Sequence, residues 1–186
     1  WSIGNKTFLA NYAIPANGLI FVEDHVWVEG TISTARVTIA AARFPDNASL
    51  RKNIIVNNNL RYTNYDGTDV IALIAQNNIN VGLFSPNNFQ IDEALVAQNG
   101  RIGRHYYDPP TNGGGTTRCG VNVSRNSITL YGMLATNQRY GFAYTDGTGY
   151  DTRTITYDTN LLYAPPPNFP LASDKYQIIL WEELEN

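Results

Sequence analysis

Three stretches of this chain repeat one another. Leu73-Ile-Ala-Gln-Asn-Asn-Ile-Asn-Val-Gly82, Leu95-Val-Ala-Gln-Asn-Gly-Arg-Ile-Gly103 and Met133-Leu-Ala-Thr-Asn-Gln-Arg-Tyr-Gly141 share one pattern. Each has an apolar pair, Ala, a polar residue, an Asn-containing turn, an alternating strand and Gly. Ala75 and Ala97 stand 22 residues apart. The step on to Ala135 comes back near that value once the Gly/Pro-rich insertion Asp108–Gly120 is set aside. Leu19–Gly30 and Val37–Arg43 have the same shape. A step of about 20 residues holding short strands and tight turns predicts one coil of a β-solenoid. A single coil cannot bury its own apolar face, so each must stack on the next. Ala at a recurring inward position suits a narrow interior. Asn at a recurring turn tolerates left-handed backbone, and stacked Asn side chains can hydrogen-bond along the axis.

The expected fold is therefore all-β: one single-stranded, right-handed β-solenoid (parallel β-helix) over residues 1–186, with coils of about 20–22 residues. Residues 1–16 are expected as an N-terminal cap or edge, 105–120 as an inserted loop, and 163–186 as a C-terminal extended segment or cap. The alternative is a β-sandwich whose strands are similar by chance. Residues 179–185 read equally as a short helix or a terminal strand.

Composition agrees with a β-rich reading. The chain has 22 Asn and 12 Tyr but only three Lys, whereas a long amphipathic helix wants Ala, Leu, Glu, Lys, Gln and Arg. Hydrophobic residues are 43% of the 186, enough for a core, and charged residues only 16%. Low charge and abundant aromatics argue against disorder. A net charge of −3 without a basic run argues against binding nucleic acid through its phosphates, and equally against an anionic membrane surface. The sequence holds no apolar run long enough to span a bilayer. Its start at Trp1, with Met133 the sole Met, is expected of a segment excised from something longer. Cys119 is the single cysteine, so its pairing, if any, is with another chain.

Two loops, Asn64–Asp69 and Thr145–Asp151, bring carboxylates together around Gly. Asp66, Asp69, Asp146 and Asp151 are the candidate Ca²⁺ ligands, because hard cations want several oxygens on a tight turn. Asp-Gly is also an ordinary hairpin turn, and no other cofactor is expected. Tyr106, Tyr107, Tyr140, Tyr144 and Tyr150 are the candidate ligand-binding residues, since Tyr gives contact area at low entropic cost plus a polar tip. Asp92, Glu93, Arg101, Arg104 and His105 fall in neighbouring coils and are the candidates for a polysaccharide lyase or hydrolase site. His25 and His105 are 80 residues apart and give no metal signature.

The stretches Gly18–Ile32, Tyr62–Asn77, Ala94–Gly103, Tyr140–Tyr150 and Leu161–Pro167 resemble the β-rich C-terminal region of uncharacterised bacterial surface proteins of the type IV pilus-assembly, PilX-type kind. The resemblance spans roughly residues 17–181 and brings no active-site residues. It implies an exported, extracellular or cell-surface module, structural or adhesive and non-enzymatic. Such a module would present loops 105–120 and 144–152 to glycans or to other subunits of a surface assembly. The alternatives are a carbohydrate-active enzyme on the same scaffold and a self-assembling fibre subunit, homo-oligomeric or polymeric.

Overall fold

A computed structural model of the chain describes residues 6–108 and 119–169. The outer parts of the two expected caps and the middle of the 105–120 loop lie outside the described residues, as do residues 179–185. Ten strands are present among the described residues. They are β1 (Leu19–Val22), β2 (Val26–Ile32), β3 (Arg36–Ala41), β4 (Ile54–Tyr62), β5 (Val70–Ala75) and β6 (Ile79–Val81). After them come β7 (Asn88–Ala97), β8 (Ile102–Arg104), β9 (Ser124–Thr136) and β10 (Gly149–Tyr157). Two short 3-10 turns, Gly120–Val123 and Thr159–Leu162, supply the helix in the described residues.

Every strand pairing is parallel. Up to β9 each strand pairs with the one two places on: β1 with β3, β2 with β4, and so on to β7 with β9. Parallel neighbours need a long crossover, usually a helix. Here the crossover is itself a strand that belongs to another row. The path through the sheet runs β1-β3-β5-β7-β4-β6-β8 and is open at both ends, with β2 beside β4 and with β9 and β10 extending from β7.

Three rows result. The first stacks β1, β3, β5 and the last residues of β7 and β9, so that Ile39, Leu73, Leu95 and Leu134 lie in register. The second stacks the start of β2 and of β4 with β6 and β8, placing Val26, Ile54, Ile79 and Ile102 in line. The third holds the far end of β2 and β4, the first halves of β7 and β9, and β10. The inward residues of all three rows meet in one core containing Ile54, Leu73, Ile79, Leu95, Ile102 and Ile128. Ala41, Ala75 and Ala97 occupy the expected small inward position and are buried.

The register corrects the third repeat by one residue. Thr136, not Ala135, pairs with Ala97, and Leu134 pairs with Leu95. The bridge between Gly103 and Gly141 brings the chains back into step. The turn after β7 is thus one residue longer than the turn after β9, which is what shifts an alignment anchored on Ala and Asn. The 22-residue step also holds only locally. Thr38 pairs with Ala72 and Ala94 with Met133, because the loops after β3 and β8 lengthen those steps.

The outer side of the first row is covered by the segment after β10. Val70, Ala72, Ala94 and Leu161 form a second apolar cluster with Met133 and Phe169. Arg36 donates to the carbonyls of Gly67 (2.6 Å), Ala164 (2.9 Å) and Pro165 (2.7 Å), and the Thr38 hydroxyl donates to the Pro167 carbonyl. A run of prolines cannot join a ladder, so these side chains from β3 take its carbonyls instead.

Candidate functional site

The turns between the first and second rows carry a column of polar residues, each standing just before a second-row strand. The His25 Nδ1 accepts from the Asn53 N–H (2.9 Å), the Asn53 Oδ1 from the Asn78 N–H (3.0 Å), and the Asn78 Oδ1 from the Arg101 N–H (2.8 Å). Each rung therefore satisfies one backbone donor of the next turn in the column. Gly100 follows from this geometry, because a Cβ there would lie 2.2 Å from the Asn78 Oδ1.

At the next position the column changes character. Arg101 has no acceptor to offer, and its guanidinium donates sideways to the Arg104 carbonyl (2.8 Å) and the Tyr144 hydroxyl (3.2 Å). Arg139 lies two residues before Gly141, as Arg101 lies two before its bridge partner Gly103, and the Gln138 N–H donates to the Gly100 carbonyl. The chain from Arg139 then turns back. Phe142 plugs into the core at 2% exposure, and its carbonyl accepts from the Tyr150 N–H. An antiparallel bridge joins Ala143 to Gly149. The outcome is a depression of about 750 Å³ lined by Arg101, Arg139, Tyr140, Phe142, Tyr144 and Arg153 together with neighbouring backbone.

Among the described residues no carboxylate lines this depression and none of its three arginines forms a salt bridge. Among the described residues Arg153 donates to the carbonyls of Tyr150 (2.6 Å) and Asp151 (3.0 Å). Tyr140 is 48% exposed and tilts against Phe142. Tyr144 donates its hydroxyl to the Arg104 carbonyl (2.7 Å) and meets Tyr106 edge-on at 5.1 Å.

The structure separates the five candidate tyrosines. Tyr140 and Tyr144 line the depression, and Tyr106 supports Tyr144 from behind while donating to Asp146 (2.9 Å). Tyr107 lies elsewhere, its ring 5.0 Å from the Arg104 guanidinium. Tyr150 is corrected to a core residue: it is wholly buried, its ring stacks on Phe89, and its hydroxyl is shared with Ser85 and the Pro86 carbonyl. No ligand can reach it.

Three of the four aspartates of the two Gly loops accept hydrogen bonds from surrounding N–H and hydroxyl groups. Asp66 takes the hydroxyl and N–H of Thr68, and Asp146 those of Thr148, which hold both carboxyls below their ordinary pKa. Burial works against ionisation of Asp69. The N–H groups of Asn64, Ala35 and Thr63 outweigh it, so that its pKa too is lowered. Asp151 is exposed. Among the described residues no three His, Cys, Asp or Glu side chains are grouped so as to hold a metal ion.

The candidate enzyme constellation is dispersed. Arg104 is buried and donates to the carbonyls of Gly82, Leu83 and Asn122 and to the Ser85 hydroxyl, tying the loop after β6 to β8. Asp92 accepts from the Tyr62 N–H (3.1 Å) and the Tyr65 hydroxyl (2.7 Å) on the third row. Burial first, and the Asp92 interaction second, raise the Tyr65 hydroxyl to about 12. Glu93 is buried beside Asp92, and neither of its carboxyl oxygens has a hydrogen-bond partner among the described residues. Burial, followed by the Asp92 charge, drives its pKa well above the ordinary value. Asp92 and Glu93 share no hydrogen bond or ion pair with Arg101 or Arg104.

Arg139 and Arg153 were not among the sequence candidates. One signal for Arg139 is visible in the repeat: Arg101 and Arg139 hold the same place in the second and third copies. Arg153 has no such signal, since β10 contributes it from a different row. No family model matches the chain, and no curated protein or solved structure matches it either.

Proposed function

We propose that this chain is a non-catalytic binding module on a right-handed β-solenoid, and that the depression bounded by Arg101, Arg139, Tyr140 and Tyr144 is its ligand site. The solenoid reading is supported by the pairing of each strand with the one two places on, by crossovers made of strand, and by the shared core of three rows. Right-handedness follows the general preference of parallel crossovers. The observation that carries the functional reading is an open, arginine- and tyrosine-lined hollow held by backbone and core contacts, with no carboxylate among its described lining residues. Exposed Tyr beside polar groups is the usual surface for stacking on sugars or seating a protein loop. Placement in an exported, pilus-associated surface protein rests on the resemblance of stretches such as Gly18–Ile32 and Tyr140–Tyr150.

A glycan array probed with the purified chain, with and without EDTA, tests this reading. Binding that survives EDTA and falls with Tyr140→Ala is the expected result. No binding to any glycan overturns it.

A further inference from the structure

We infer that the depression recognises an acidic carbohydrate, with carboxylated sugars of a uronate polymer seated against Arg101 and Arg139; this rests on the binding role proposed above. Arg101, Arg139 and Arg153 line one depression, and among the described residues no carboxylate lines it and none of the three forms a salt bridge. Elsewhere in the column that ends at Arg101 the side chain is a neutral acceptor that takes a backbone N–H of the next turn. Arg101 gives up that bond and turns its guanidinium toward the Tyr144 hydroxyl. An anion in the depression takes charge-assisted, fork-shaped hydrogen bonds from such guanidiniums, a geometry that suits a carboxylate.

The rest of the lining selects a sugar as the carrier of that anion. The half-exposed Tyr140 ring offers a flat face beside the arginines, and Tyr144 is held upright by Tyr106 and the Arg104 carbonyl. A net charge of −3 over the whole chain disfavours a long phosphate backbone, whose binding draws on a broad basic surface.

The test is calorimetric titration of the full chain with oligogalacturonate, with a neutral glucan, a sulfated glycan and single-stranded DNA as comparison arms. Oligogalacturonate should bind with an affinity that falls as salt is raised. Arg139→Gln, an exposed substitution outside the core, should weaken it about tenfold or more, and Tyr140→Ala should weaken it comparably. Circular dichroism confirms that both variants fold. Equal binding of the neutral glucan, unaffected by Arg139→Gln, overturns the acidic class and leaves the binding role standing. Preference for the sulfated glycan or for DNA also overturns it, as does no binding in any arm, while the binding role itself stands or falls by the glycan array.

Discussion

His25 accepts the Asn53 N–H through Nδ1, so the ring must be neutral to hold the first rung of the column. Burial, with Lys52 adding to it, lowers the His25 pKa below its ordinary 6.5. A depressed histidine pKa gives stability that is fully present above the unfolded value and is lost as pH falls below it. Melting temperature should therefore drop on going from pH 7.5 to pH 5.5, and His25→Asn, which keeps an acceptor at that rung, should flatten this part of the profile. Glu93 has the opposite sign. Its raised pKa gives stability that is present below the ordinary 4.5 and is lost as pH rises. Glu93→Gln should raise the melting temperature by several degrees near pH 8 and leave it nearly unchanged near pH 4. An unchanged value at both pH values would show that Glu93 is not buried as an acid.

At the scale of elements, β9 depends on one residue to pass between rows. Gly132 has φ +147°, and a Cβ there would fall 1.9 Å from the Glu93 carbonyl oxygen of the neighbouring strand. Gly132→Ala should cost about 3 kcal/mol or more, measured by urea unfolding, because backbone must move on both strands. The proline segment is held differently. Arg36→Ala removes three carbonyl bonds to that segment and its neighbouring loop, and should cost about 1–3 kcal/mol. Proteolysis after residue 160 would increase with it.

These two elements also show what the sequence makes legible. The step from Ala75 to Ala97 could be read directly, because strand, turn and small inward residue recur together. The bend at Gly132 could not, since a glycine inside an apolar run reads equally as a bulge or a turn. The register of the third copy was displaced for a related reason: one extra residue in the turn after β7 leaves the pattern of residue types intact and changes only what faces what. For the candidate site, Tyr140 and Tyr144 were legible as residue types, while Tyr150 was not distinguishable from them. Its burial depends on Phe89, Ser85 and Pro86, some 60 residues away in sequence.

Over the whole molecule, stability is built row upon row, and the middle of the stack has neighbours on both sides. Hydrogen exchange should be slowest in Ala72–Ala75 and Ala94–Ala97, which pair on both edges, and faster in β1 and β10, which lie at the two ends of the pairing order. Uniform exchange across all ten strands would instead mark a single all-or-none unit.

The column that begins at His25 has a direction. Each of its first three side chains looks toward the following coil, and Asn78 passes the last such bond to Arg101. A turn and strand duplicated among the asparagine rungs would find an acceptor behind it and a donor ahead of it. Arg101 offers no acceptor, so the series of such bonds stops there. The length of that series and the chemistry beyond it are thus free to change independently, much as a handle can be lengthened without recutting the tool it carries.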